Sequence, residues 1–195
     1  MRIIAGKWKG RKLKTWKGTL PARPMTDRVK ETVFNVLSPY LFEDCTVLDL
    51  FSGTGSLALE ALSRGAGLAH VLENHSSCIK LIQQNKAFLP KNKKLWIHKK
   101  NVFSFLKKNQ KTEVLDQERL AKALSFDIIL VDPPFSLKAG DSLMKFLSNS
   151  YLTHKGTVIA IETGLKEYLE DKYCEFYLFS KKDFHDKKVW FYKTE

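Results

Sequence analysis

One stretch limits what this chain can fold into: Val47-Leu48-Asp49-Leu50-Phe51-Ser52-Gly53-Thr54-Gly55-Ser56-Leu57-Ala58. A short apolar run carries a carboxylate at Asp49 and is followed by two closely spaced glycines. Leu57, Leu59, Ala61 and Leu62, with Glu60 and Arg64, then suggest a helix stopped by Gly65. The pattern predicts a buried strand, a tight loop and the start of a helix. Gly53 and Gly55 let the backbone turn sharply and approach a ligand closely. Units of this kind hold nucleoside-containing cofactors at the helix N-terminus. The spacing alone leaves two cofactor classes open. Gly53-x-Gly55-x-x-Ala58 also fits the alanine form of the dinucleotide fingerprint, and Glu73 lies 20 residues after Gly53, where an acid would bind a ribose. Against a nicotinamide dehydrogenase stand Asp49, already at the strand end, and a second motif further along.

The rest of the chain alternates in the same way. Thr26 is a plausible N-cap, Val29, Val33 and Leu37 share one helical face, and Ser38-Pro39 ends that helix. After the central unit, strands are expected at residues 68–73, 95–98, 127–131 and 157–161, and helices at 76–89, 102–108, 141–147 and 165–171. Residues 109–125 read as an inserted, partly helical excursion, and residues 174–179 and 189–192 as a closing antiparallel hairpin. This predicts an α/β fold: a doubly wound, mostly parallel, seven-stranded sheet covered on both faces. Its ligand belongs at the carboxyl ends of the strands, beside the first.

At 195 residues the chain suits one domain with its own core, and a formal net charge of +12 favours a polyanionic partner, above all nucleic acid. The charge is unevenly placed. Residues 1–24 hold eight basic side chains and no acid, interleaved with Trp8 and Trp16. Ile3, Ile4 and Leu13 around Gly6 and Gly10 suggest a β-hairpin arm, so residues 1–24 read as an appendage to a domain of residues 25–195. Arg2, Lys7, Trp8, Lys9, Arg11 and Lys12 are the candidate nucleic-acid contacts: cations for phosphates, an indole for stacking. The lysine clusters at 91–100 and 181–188 read as solvated faces. Cys45, Cys78 and Cys174 form no Cys-x-x-Cys pair and the histidines are scattered. That argues against a disulfide framework or a metal site and suits the cytoplasm. No apolar run approaches the length of a membrane span. A monomer is the default expectation.

The fourth strand ends in Asp132-Pro133-Pro134-Phe135. Two prolines cannot extend a ladder, so the backbone leaves the sheet rigidly. The Asp132 carboxylate and the Pro133 carbonyl become two fixed acceptors, and Phe135 a flat apolar surface. The exocyclic amine of a nucleobase offers two hydrogens and an adjoining π-face. Such an amine is a poor nucleophile because its lone pair is delocalised. Hydrogen bonds to fixed acceptors favour its pyramidal form, and Asp132 can take the departing proton.

In this order, the run from Asp49 to Ser56, Glu73 and the Asp-Pro-Pro-Phe motif resemble a class I S-adenosylmethionine-dependent methyltransferase acting on base amines. With Met1-Arg2-Ile3-Ile4-Ala5-Gly6-Lys7-Trp8-Lys9-Gly10-Arg11-Lys12-Leu13 and Arg23-Pro24-Met25-Thr26, the chain resembles the RsmD family. That family methylates the N2 amine of one guanine in bacterial small-subunit (16S) ribosomal RNA. The resemblance implies that Asp49, Phe51, Ser52, Gly53 and Gly55 hold the methionine part of the cofactor. It gives Glu73 the ribose, Asn101 and Val102 the adenine, and Thr26 the closure over the methionine end. Asp132, Pro133 and Phe135 would grip and stack the guanine. Asn101 stands where the superfamily commonly has Asp, though its amide oxygen still accepts. Ribosomal RNA within a small-subunit particle is the implied partner. A DNA adenine-N6 or cytosine-N4 methyltransferase would use the same acceptor pair, and a non-catalytic RNA-binding module is the remaining alternative.

Overall fold

In a computed structural model of the protein, residues 1–16, 25–91, 93–111 and 124–194 are described. Lys17 and Arg23 of the expected arm, and most of the expected excursion at 109–125, lie outside them. Helix α1 (Asp27–Leu37) starts at Thr26, whose Oγ1 accepts from Val29 N at 3.4 Å, and buries Val29, Val33, Phe34 and Leu37. Pro39, within a single 3-10 turn, ends it. The alternation then runs β1 (Thr46–Leu50), α2 (Ser56–Ser63), β2 (Leu68–Glu73), α3 (Ser76–Lys86), β3 (Lys94–Lys99), α4 (Val102–Lys108), β4 (Ile128–Val131), α5 (Gly140–Ser148) and β5 (Val158–Gly164). Three antiparallel strands close it: β6 (Lys172–Tyr173), β7 (Phe176–Asp183) and β8 (Lys187–Thr194).

The strand order is β3-β2-β1-β4-β5-β8-β7-β6, with β1 to β5 parallel to their neighbours and β8 antiparallel to β5. Central strands bury both faces, which is why they read as continuous apolar runs. Val47, Ile128 and Leu130 face one core with α1 and α2. Leu48, Leu50, Ile129 and Val131 face the other with α4 and α5. The sheet has eight strands where seven were expected. The extra one is the two-residue β6, and it depends on a second difference: residues 165–171 form no helix. Glu167 closes a single turn instead, its amide donating to Gly164 O at 3.1 Å and its Oε1 accepting from Gly164 N at 3.3 Å. The chain is then free to bring Lys172 and Tyr173 alongside Tyr177 and Phe176. Helix α3 stops at Lys86, short of the expected Leu89. The final hairpin runs through most of the lysine cluster, so its turn shrinks to the residues between Asp183 and Lys187. Among the described residues no helix is long and apolar enough to cross a membrane.

The N-terminal residues form a small hairpin, with Ile3 N donating to Arg11 O at 3.0 Å and Gly10 N to Ile3 O at 2.9 Å. Ile3 and Leu13 are buried in the main core. The hairpin lies along α2. Ile4 N and Ala5 N donate to the two oxygens of Glu60 at 2.7 and 2.9 Å, and Lys7 N and Trp8 N reach Ser63 O and Oγ. The approach is close enough to require a glycine. A Cβ on Gly6, at φ +79°, would fall 2.0 Å from Ser63 O.

Candidate active site

The strand order reverses between β1 and β4, so the loops leaving their carboxyl ends diverge and open a crevice. The two ends are in register, Leu50 opposite Val131, and Asp132 N donates to Leu50 O at 3.4 Å. Around this crevice lies a cavity of about 350 Å³. Phe51, Ser52 and Gly53 line it from β1, Glu73, Asn74 and His75 from β2, Asp132, Pro133 and Phe135 from β4, and Glu162 from β5.

The glycine loop is held from below and from the side. Asp49 is fully buried, with Oδ2 accepting from Ala58 N at 3.2 Å and its backbone carbonyl accepting from Ser52 Oγ at 2.6 Å. Its Oδ1 has no partner among the described residues, and burial pushes the carboxyl up to about 7. Glu73 Oε2 accepts from Gly53 N at 2.9 Å, while Oε1 accepts from Asn74 N and His75 N at 2.8 Å. Phe51 adopts φ +61°, a left-handed conformation rare for a bulky residue and typical of strained functional loops. Gly53 is left-handed too, and a Cβ there would meet nothing within 4 Å, so a side chain would project into the cavity.

Asp132 is only half-buried by exposure, open to the cavity and otherwise enclosed. Its carboxyl is pushed well above the usual carboxylate range, first by burial and then by the negative charge of Glu162, with Lys187 opposing. Glu162 and Lys187 form a buried ion pair at 2.7 Å, their side chains 1% and 4% exposed. The Lys187 ammonium also sits 5.0 Å from the centroid of the Phe135 ring, whose residue remains 37% exposed.

Seven of the expected site residues therefore meet in one cavity: Phe51, Ser52, Gly53, Glu73, Asp132, Pro133 and Phe135. Asp49 and Gly55 lie behind that surface as supports, Gly55 as the left-handed cap of α2. Thr26 caps α1 next to Met25, which does line the cavity. Asn101 caps α4, its Oδ1 accepting from Ser104 N at 3.1 Å, and the adjoining Val102 is buried. Of the candidate nucleic-acid contacts, Arg2, Lys7, Lys9, Arg11 and Lys12 are exposed. Trp8 instead packs edge-on against Phe88 at 5.3 Å, with the Arg11 guanidinium 4.1 Å from the same ring.

This chain resembles a set of known proteins over nearly its whole length. The family model described as "Conserved hypothetical protein 95" matches residues 1–193. The chain belongs to that family, the RsmD family. One relative is "Ribosomal RNA small subunit methyltransferase D" of Haemophilus influenzae, 33% identical over 165 residues, 84% of this chain and 78% of the relative. Among solved structures, "Putative methyltransferase yhhF from Escherichia coli" superposes with a TM-score of 0.80 at 31% identity, covering 100% of this chain and 98% of that one. A more distant fold neighbour is the putative methyltransferase SMU.776 complexed with SAH. Its TM-score is 0.60 at 17% identity, over 85% of this chain and 49% of that one. The sheet is thus the Rossmann-like sheet of class I methyltransferases.

Two charged residues of this RsmD-family site escaped the sequence: Glu162 and Lys187. Glu162 had a signal, since it follows the apolar run of β5 as Asp132 follows that of β4. Lys187 stood in a lysine cluster that read as solvent-facing. Only its alternation with Val189 and Phe191, both on the α1 side of the sheet, hinted at burial.

Proposed function

We propose that this protein is a ribosomal RNA methyltransferase that transfers a methyl group from S-adenosylmethionine to the exocyclic N2 of a guanine in small-subunit RNA. The substrate would be met in the cytoplasm within a small-subunit particle, by a monomer. The carrying observation is that the glycine loop after β1 and the Asp132-Pro133-Pro134-Phe135 loop after β4 line one cavity at adjacent strand ends. A methyl donor and an amine held on these two loops are neighbours. The family, and the name of the Haemophilus relative, support the same reading.

The residues fit the cofactor. A buried, unpartnered Asp49 oxygen lies beneath the loop, and Gly53 leaves the space a ligand needs. Phe51, Ser52 and Gly53 would hold its methionine part, with Asp49 and Gly55 fixing the loop and Thr26 beside Met25 closing that end. Glu73 retains acceptor capacity for ribose hydroxyls beyond the amides it already takes. Asn101 and Val102, at the start of α4, would flank the adenine. When bound, the cofactor supplies an electrophilic methyl group on a sulfonium.

The rest is the work of this chain's own side chains. Asp132 and the Pro133 carbonyl accept the two N2 hydrogens and aim the nitrogen lone pair. Phe135 offers the base one ring face while Lys187 lies against the ring. Asp132 then takes the proton the methylated amine must lose, and burial makes its ionised form a stronger base than an exposed carboxylate. Arg2, Lys7, Lys9, Arg11 and Lys12 would meet RNA phosphates flanking the target.

The test is a labelled-methyl assay on small subunits from a strain lacking this gene, run beside plasmid DNA, with nucleosides identified by mass spectrometry. N2-methylguanosine in the RNA is expected. Label in DNA alone would overturn the reading.

A further inference from the structure

Among the described residues, two buried side-chain oxygens lack a hydrogen-bond partner: Asp49 Oδ1, beneath the cofactor loop, and Glu162 Oε2. The second has no place in the mechanism above. Glu162 Oε1 is taken by Lys187 Nζ at 2.7 Å, so the side chain is anchored and its charge compensated. Oε2 belongs to a side chain that is 1% exposed yet lines the cavity that Asp132 lines. The register of β4 with β5, Val131 opposite Ile161, sets Asp132 and Glu162 side by side on the same face of the sheet. A buried acceptor left without a donor is costly, so a native site that keeps one normally has a ligand for it.

Resting on the guanine-N2 reading, we propose that Glu162 Oε2 accepts the ring N1–H of the target guanine and makes this cavity select guanine. Guanine presents N1–H and the N2 amine as adjacent donors on one edge. With the N2 hydrogens on Asp132 and Pro133, the neighbouring N1–H faces the next strand, where Glu162 stands. Adenine and cytosine present a bare ring nitrogen beside their amines. Against Glu162 that lone pair would oppose a carboxylate in a desolvated cavity, and both acceptors would stay unsatisfied. Lys187 holds the selector in place and compensates its charge. Asp132 and Pro133 alone would accept any base amine; Glu162 distinguishes among them.

A rival donor for Oε2 is a proton on Asp132, which would leave the cavity indifferent to the ring nitrogen. The experiment separates the two. Small subunits are reconstituted with ribosomal RNA carrying guanine or 2-aminopurine at the nucleotide that the wild-type protein labels. 2-Aminopurine keeps the C2 amine and replaces N1–H with a lone pair. Wild-type kcat/KM is expected to be at least about 100-fold lower on 2-aminopurine. In Glu162→Gln the amide oxygen stays on Lys187 and the amide NH2 turns to the ring nitrogen. That variant should lose rate on guanine, gain rate on 2-aminopurine, and bring the ratio to within about tenfold. Equal wild-type rates on the two bases overturn the proposal, as does a Glu162→Gln variant that slows both in proportion. The wild-type comparison decides even if the variant fails to fold. Failure of the wild type to label any guanine is a different result, and overturns the parent reading as well.

Discussion

Asp132 combines two demands that pull against each other. In the proposed reaction it must sit in a water-poor cavity to act on an amine, and it must be ionised to accept that amine's proton. Burial and the Glu162 charge hold its carboxyl well above the usual range, and Lys187 limits the rise. The sign for activity follows: the working form is deprotonated, so kcat/KM should climb with pH through a midpoint above the roughly 4 of an ordinary aspartate. A pH–rate profile on ribosomal subunits checks this. Asp132→Ala should lower kcat by about 10²–10⁴-fold while calorimetry finds cofactor affinity nearly unchanged. Asp49 shifts the same way for a structural reason. Its folded-state value is about 7 against an ordinary 3.8, so the folded protein holds the proton more tightly than the unfolded chain. Its contribution to stability is fully present below about pH 4 and is lost as pH rises through about 7, a change of about 4 kcal/mol. Urea unfolding from pH 5 to 8 should show wild-type stability falling relative to Asp49→Asn over that window. Both aspartates were legible in the sequence because each ends or nearly ends a buried apolar run before a loop with special backbone needs. Glu162 follows such an apolar run too, but its strand simply continues to Gly164, and its meaning comes from the strand beside it.

At the scale of elements, a buried carboxylate is central to how the N-terminal hairpin is fastened to the domain. Glu60 takes two hairpin amides and pairs with Lys30 of α1 at 3.4 Å, both side chains fully buried, and with Arg64 at 2.8 Å. Lys30 in turn donates to Arg2 O at 2.7 Å. Removing the acid alone strands a buried cation, so Glu60→Leu should destabilise the protein by about 3–5 kcal/mol, and Glu60→Leu with Lys30→Met by clearly less. Denaturant unfolding measures both. Hydrogen exchange should find the Ile4 and Ala5 amides deprotected in the single variant. None of this was legible from residues 1–24, where charge suggested an appendage, because the partner of the Ile4 and Ala5 amides lies more than fifty positions away on α2. The parallel core was legible for the converse reason. A strand buried on both faces declares itself by composition, whatever its neighbours. The missing helix at 165–171 failed on a local competition: Glu167 satisfies Gly164 N with Oε1 and Gly140 N with Oε2, fixing a turn where helical spacing suggested more.

For the molecule as a whole, the position of the hairpin bears on the size of the proposed RNA partner. Its turn meets Ser63, at the end of α2 remote from the cavity, about 10 Å along the helix axis from the cofactor loop. On the proposed reading, Lys7, Lys9 and Arg11, exposed on that hairpin, meet RNA beyond the nucleotide being modified. A chain of formal net charge +12 is expected to bind any RNA loosely, so on the proposed reading affinity alone cannot reveal which cations are placed for the substrate. The length of the RNA can. Reversing charge at Lys7, Lys9 and Arg11 should raise KM for small-subunit particles and leave kcat near the wild-type value, because the cavity is untouched. It should also lower the slope of log affinity against log salt by about two to three, one lost counterion for each phosphate contact. A dinucleotide that fills the cavity but cannot reach Ser63 should not distinguish the variant from wild type. If the short and long substrates suffered equally, the three cations would be acting through the general field of the protein, and the hairpin would belong to the fold alone.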